Sequence, residues 1–349
     1  MLRFALVGCG RIAKRHSELL GFGKIKNASL DAVCDINEDK AKIIGQKFNI
    51  PYYSNMDEMM QKEQLDVVSV LTESGNHAKH VINLSKYGKH LVVEKPMALN
   101  LDQADQMTKS CQQNHCKLFI VKQNRFNLPV VKLKDAMREN RFGKLVLGTI
   151  RVRWSRDQAY YDQAWWRGRW DMDGGVLTNQ AIHLLDALVY NFGKVISFNV
   201  IAGFNKKKLE AEDLILINFK HENNIYTSFK ATTRADRNYR SAIDVIGSKG
   251  RIIIKGISLN TFNKFKNGRL YKNEKNSERF ETDLGAKGGM GFGHKKLLKE
   301  FLIKNKKSSR DLEISKNIYL LKVIHSVYNK VLKTNKVNKI KSVNSILGF

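Results

Sequence analysis

Six residues near the start of the chain, Gly8-Cys9-Gly10-Arg11-Ile12-Ala13, have the spacing of a phosphate cradle. In a G-x-G-x-x-A turn the first glycine bends the chain and the second lets the backbone approach a pyrophosphate. The alanine keeps the following helix close to its sheet, with Arg11 and Ile12 between. The helix N-terminus then presents N–H groups and the positive end of its dipole. Asp35 follows 25 residues beyond Gly10, at the end of a second apolar run. A carboxylate there accepts from both ribose hydroxyls and repels a 2′-phosphate, so NAD is expected rather than NADP. Lys95, within Glu94-Lys95-Pro96, and His183 bring a different chemistry. Taking a hydride from an alcohol carbon requires one proton acceptor and one orienting donor at the hydroxyl, and an amine and an imidazole are suitable types.

The elements that must carry these residues show a change of pattern partway along. LRFALVG, SLDAVCD, LDVVSVLT and KHLVVEKP read as strands, separated by the helical stretches RIAKRHSELLGFG, INEDKAKIIGQKFNI and NHAKHVINLSKYG. LDVVSVLT is apolar throughout, as a strand buried on both faces must be, and the alternation implies a parallel sheet with right-handed crossovers. After a helix at VVKLKDAMREN come KLVLGTIRVRW, VISFNVIAGF, DLILINFK, IYTSFKATT, AIDVIGS and RIIIKG, a succession that reads as a mostly antiparallel sheet. Helices return at HKKLLKEFLIK and KNIYLLKVIHSVYNKVLK. The expected fold is thus an α/β Rossmann domain over residues 1–122 and an α+β domain over 123–349 built on a large open sheet. That sheet has too few helices to cover both faces, which predicts a homodimer or homotetramer formed through it.

At 349 residues the chain is long enough for two cores. No apolar run approaches the roughly 18–20 residues that span a bilayer. The first residues lack a signal-peptide layout, so the expected location is the cytoplasm, with no membrane partner. Cys9, Cys34, Cys111 and Cys116 have neither C-x-x-C spacing nor clustered histidines, and read as buried thiols rather than a disulfide or zinc framework. No metal-ligand spacing is found. The net charge of +28 raises nucleic-acid binding as an alternative, but the lysines are scattered and thicken toward the end (Lys330, Lys333, Lys336, Lys339, Lys341) beside Asn and Ile. A compositional bias, or a basic surface that attracts an anionic substrate, accounts for them without a nucleic acid.

Gly8-x-Gly10-x-x-Ala13, then Gly88-Lys89-His90-x-x-x-Glu94-Lys95-Pro96, then Gly174-Gly175 with His183-x-x-Asp186, resemble the Gfo/Idh/MocA oxidoreductases over essentially the whole chain. The resemblance implies that Pro96 follows a cis bond, a form that proline tolerates best. It implies Lys95 and His183 as the catalytic pair. Cofactor contacts are implied from Gly8, Gly10, Arg11, Ile12, Ala13, Asp35, Thr72, His77, Glu94, Lys95 and Gln123. Substrate contacts are implied from Lys95, Arg125, Asn127, Arg167, Asn179, Gln180, His183 and His294. Many members carry Asp four residues before the histidine, where this chain has Asn179. An amide cannot take a proton, so acid/base duty narrows to Lys95 and His183.

The Asn179-Gln180-x-x-His183 variant, with Trp166-Arg167-Gly168 before it and Gln123-Asn124-Arg125-Phe126-Asn127 upstream, is similar to one branch of that family. That branch oxidises C3 of UDP-N-acetylglucosaminuronic acid in bacterial surface-polysaccharide synthesis. Residues 151–170 hold all four tryptophans and five arginines. Such a segment suits a nucleotide-sugar, single-stranded nucleic acid or an aromatic plug at a boundary. His77 reads equally as a capping residue, and Gly291-Phe292-Gly293-His294 as the opening of a late helix. The competing functions are a dehydrogenase of another sugar, inositol or nucleotide-sugar, and a catalytically silent NAD sensor.

Overall fold

Short β-branched runs bounded by asparagine-capped helices build the first unit. Its strands are β1 (Leu2–Val7), β2 (Ala28–Cys34), β3 (Tyr52–Tyr53), β4 (Val67–Val70), β5 (His90–Val93) and β6 (Leu118–Ile120). All pair in parallel, in the order β3-β2-β1-β4-β5-β6. The four residues of β4 are all buried, as a strand covered on both faces requires. The helices between them are α1 (Ala13–Gly21), α2 (Glu38–Phe48), α3 (Met56–Lys62), α4 (His77–Ser85) and α5 (Leu101–Gln113). Asn37, Asn55 and Asn100 cap α2, α3 and α5 by accepting from first-turn backbone N–H groups. Two elements, α5 and β6, fall in a stretch where the sequence reading recognised no pattern. In α5 only Ala104, Met107 and Cys111 are buried, in an otherwise polar sequence, and β6 is three residues long.

The structure, a computed structural model, describes residues 1–204, 209–259, 261–263, 293–304 and 314–334. Lys336, Lys339, Lys341, Gly291 and Phe292 lie outside the described residues.

The second unit holds α6 (Leu128–Arg138), β7 (Leu145–Arg153), α7 (Gln158–Asp162), α8 (Ile182–Phe192), β8 (Val195–Gly203), β9 (Leu214–His221), β10 (Tyr226–Thr232), β11 (Ser241–Gly247), β12 (Gly250–Gly256) and β13 (Thr261–Asn263). Its seven strands run β13-β12-β11-β7-β10-β9-β8, and only β7 and β10 pair in parallel. The mostly antiparallel open sheet expected from the sequence is therefore present. One face buries Ile150, Val152, Ile215, Ile217, Phe219, Phe229 and Val245. The other presents Ile201, Leu216 and Tyr226 to the surface, with Ile201 paired opposite Leu216, while Val146 and Ile196 are exposed at the register shifts of β7 and β8.

Two late helices follow, α9 (Gly293–Lys304) and α10 (Ile314–Thr334). Among the described residues, unit 1 comprises Met1–Val121 and those within His294–Leu321, and unit 2 comprises those within Lys122–Gly293 and 322–334. The chain passes from unit 1 to unit 2 after Val121 and returns to unit 1 at His294. The physical reason is visible in Phe301 of α9, which is fully buried with its ring edge-on to Phe4 and Phe119 at 5.8 and 4.5 Å.

All four cysteines are buried thiols, and burial pushes Cys9 and Cys34 up to about 12. No helix among the described residues is long and apolar enough to cross a membrane.

Candidate active site

In unit 1 the two glycines of the opening motif serve different ends. Gly8 sits at φ +97°, and a Cβ on it would lie 2.8 Å from the Leu71 carbonyl carbon and the Thr72 nitrogen. Gly10 has nothing within 4 Å of such a Cβ. Packing thus explains the first glycine, whereas the second faces open space into which a ligand can come. Arg11 is exposed and Ile12 half-buried, while Ala13 is fully buried and opens α1. No side chain caps the start of α1, where the Ala13 and Arg15 amides donate to the Gly10 and Ile12 carbonyls, and the positive end of the helix dipole faces the glycine loop. Asp35, just beyond β2, accepts from the Cys9 amide at 2.7 Å and the Asn37 amide at 2.9 Å. The carboxylate is half-buried at the mouth of the glycine loop, and these residues fit a dinucleotide.

The loop after β4 is tied to the Lys95–Pro96 step, whose peptide bond is cis. His77 is buried, with Nδ1 2.7 Å from the Pro96 carbonyl and Nε2 3.0 Å from the Thr72 carbonyl. The Thr72 hydroxyl in turn pairs with His80. The His77 ring thus lies between the carbonyls of the two loops, and burial lowers its pKa despite them. Glu94 is buried, and its Oε1 faces His16 Nε2 at 3.2 Å and His294 Nε2 at 3.3 Å. Burial alone would raise this carboxyl, but the two imidazoles outweigh it and hold it well below the usual range. His294, expected on substrate, is 0% exposed and turned to Glu94. Lys95 is half-buried.

In unit 2 the chain gathers a second set of polar groups around the first turn of α8. His183 is half-buried, and the Gln123 side-chain amide donates to its Nε2 at 3.0 Å. Gln123, expected on the cofactor, is therefore the partner that sets the imidazole tautomer. Its own place is fixed by Gly293, where a Cβ would fall 1.6 Å from the Gln123 carbonyl oxygen. Asp186, one turn beyond His183, receives Arg125 through Nε and Nη2, each at 2.7 Å. Lys122 adds its ammonium at 3.9 Å. Burial would raise Asp186, yet Arg125 and Lys122 keep it low and ionised. Arg125, expected on substrate, is committed to this fork and to the face of Tyr190 at 4.7 Å. Asn127 is buried with its amide on the Ser258 carbonyl.

Asn179 donates to both carboxylate oxygens of Asp173, at 2.7 and 2.6 Å, so the amide at this position is held by an acid six residues earlier. Gln180 is buried, and its Oε1 has no partner among the described residues. Arg167 is half-buried between the Tyr160 and Trp166 rings, at 4.2 and 5.4 Å, and donates to the Tyr160 carbonyl. Trp165 is 68% exposed, whereas Trp170 is packed edge-on against Tyr328.

Reading residue types missed Asp186, Asp173, His16 and Glu212. The His183-x-x-Asp186 spacing placed an acid on the same helix face as the imidazole and was the available signal for the first. Glu212 had none: it is wholly buried, accepts from the Leu177 amide and the Tyr328 hydroxyl, and burial pushes it up to about 8.

Residues 2–122 match a family described as oxidoreductases with an NAD-binding Rossmann fold, and residues 130–253 match the Gfo/Idh/MocA C-terminal domain. A myo-inositol 2-dehydrogenase of Thermotoga maritima is 28% identical over 73% of this chain and 76% of its own. The WlbA dehydrogenase of Bordetella pertussis, solved with NADH and UDP-GlcNAcA, is similar with a TM-score of 0.84 and 27% identity over 96% of this chain and 97% of its own. Its Chromobacterium violaceum counterpart, in the same type of complex, gives 0.85 and 30% over 96% and 94%.

Proposed function

We propose a substrate for a chain that belongs to the Gfo/Idh/MocA family of NAD-dependent oxidoreductases: UDP-N-acetylglucosaminuronic acid, oxidised at C3. The observation that carries this reading is the full-length likeness to two dehydrogenases solved with that sugar-nucleotide. The Arg- and Trp-rich segment supports it, since guanidinium forks suit a pyrophosphate and a uronate carboxylate. NAD, held by the Gly8–Ala13 loop and Asp35, would supply the hydride acceptor for C3. Lys95 takes the hydroxyl proton as its neutral amine becomes an ammonium. His183, held by Gln123, orients the hydroxyl, and Asn179, held by Asp173, presents its amide to the sugar. The product is a 3-keto sugar-nucleotide for surface-polysaccharide synthesis in the cytoplasm.

The assembly belongs to the same reading. Ile201 and Leu216 lie opposite each other on the outer face of the sheet of unit 2, with Val146 and Ile196 exposed at the register shifts of β7 and β8, and a second copy of the chain is the partner that covers these side chains.

Calorimetry on the NAD-loaded protein tests the substrate, with UDP-GlcNAcA, UDP-GlcNAc, glucose 6-phosphate and myo-inositol as ligands and NADH absorbance as the companion readout. UDP-GlcNAcA is expected to bind at least about tenfold tighter than UDP-GlcNAc, because only it offers a carboxylate to an arginine. Turnover of myo-inositol with no response to either UDP-sugar would sink the proposal. Light scattering tests the assembly, and a monomer at micromolar concentration would refute it.

A further inference from the structure

We propose that His294 is a positioning residue: together with His16 it grips the Glu94 carboxylate and so fixes the backbone from which Lys95 projects. The three side chains come from α1, the end of β5 and the start of α9, and all are buried within unit 1. One carboxylate oxygen, Oε1, takes both imidazole Nε2 atoms, at 3.2 and 3.3 Å. The other, Oε2, takes the backbone N–H of Lys95 at 3.2 Å. Three N–H donors on one carboxylate are enough to keep it ionised even when it is fully buried. The grip therefore ends on the residue that carries the acid/base amine.

The same three side chains could instead hold a metal ion, since their donor atoms lie within 4.8 Å of one another. The ring nitrogens decide between the two readings. Neither His16 Nδ1 nor His294 Nδ1 has a partner among the described residues, and both are buried. A metal on Nε2 would force the proton onto Nδ1, where a buried N–H would have no acceptor, whereas metal-bound histidines almost always have one. With the proton on Nε2, each ring donates to Glu94 and leaves only a lone pair unmatched, the cheaper arrangement. Burial also lowers the His294 pKa, which fits a neutral ring. The rings meet edge to face at 5.4 Å, which two neutral imidazoles tolerate.

The proposal rests on reading Lys95 as the acid/base group, and its test does not depend on which sugar is the substrate. Histidine ring nitrogen NMR on the full chain is expected to show the His16 and His294 rings both carrying their proton on Nε2. An Nδ1–H tautomer, or zinc taken up at one equivalent with loss of those signals, would overturn it. In kinetics with the best substrate of the panel above, His294→Leu is expected to lower kcat about 10- to 100-fold while the sugar-ligand Kd stays within about threefold. His294→Gln, whose amide nitrogen reaches the place of Nε2, restores most of the rate, and His294→Asn, which mimics Nδ1, does not. Should the leucine variant fail to fold, the Gln and Asn pair decides. A raised Kd with kcat intact would make His294 a substrate ligand and end the proposal. Turnover of a sugar other than a UDP-uronate would overturn the substrate assignment and leave this comparison standing.

Discussion

The glycine loop of unit 1 and the cluster around α8 in unit 2 are built on opposite plans. The loop presents backbone to a ligand: Gly10 faces open space, and Asp35 anchors the turn through two amides. The cluster presents side chains, each already held by another: Gln123 on His183, Arg125 on Asp186, Asp173 on Asn179. A loop of the first kind makes its contacts through atoms common to all residues. A cluster of the second kind can change its specificity only by changing pairs.

The comparison breaks most sharply at Lys95. Lys95→Ala leaves both plans intact, so NAD and sugar-ligand affinities should hold within a few-fold while turnover falls roughly 10²–10⁴-fold. Calorimetry beside kcat reads both, and a near-normal kcat would remove Lys95 from the chemistry.

Next in size is the Arg125–Asp186 fork. Arg125→Ala strands a buried carboxylate whose other cation is 3.9 Å away, and should cost about 3–5 kcal/mol in urea unfolding. Replacing both partners, Arg125→Met with Asp186→Leu, should recover most of that loss. If the single variant unfolds at the wild-type urea concentration, the pair is not structural.

The two glycines sharpen the contrast within the loop itself. Gly8→Ala places a methyl against the Leu71–Thr72 backbone at positive φ and should lower stability by about 1–3 kcal/mol. Gly10→Ala should leave stability within about 0.5 kcal/mol but weaken NAD binding about tenfold or more. Equal effects of the two on melting would contradict the assignment of one to packing and the other to ligand.

Glu212 gives an effect of another kind, one that changes with pH. Its native pKa of about 8 lies above the ordinary value of 4.5, so the folded protein keeps a proton that the unfolded chain loses. Stability from this group is full below pH 4.5 and is lost as pH rises toward 8, at up to about 1.4 kcal/mol per pH unit. Glu212→Gln keeps the acceptor for Leu177 and Tyr328 and removes the proton. Its melting advantage over wild type should therefore grow between pH 5 and pH 8, and a constant difference would show Glu212 ionised throughout.

What could be read in advance follows the same division. Gly8, Gly10 and Ala13 lie in one local turn, and Asp35 meets that turn at Cys9 because β2, the next strand in the chain, is also β1's parallel neighbour. The strand and helix alternation was legible for the same reason, down to the change of sheet type near residue 122. Arg125 and His294 have types that suit a substrate, but their partners lie 61 and 200 residues away. No window of sequence contains both members of such a pair. Periodicity likewise failed at α5, whose buried stripe is only three residues beside half-buried Leu101 and nine polar ones.

The grip on Glu94 also sets an order of events during synthesis. His294 emerges 200 residues after Glu94, which at about 5–20 residues per second is a delay of about 10–40 s. Until then the carboxylate lacks one donor, and Phe4 and Phe119 lack the Phe301 ring that packs on them. The nascent Rossmann unit must wait, incomplete, while most of unit 2 is made. A ribosome-bound chain halted before residue 294 should accordingly remain open to protease, and residues 1–121 released alone should be a client for chaperones rather than a free-standing dinucleotide-binding module.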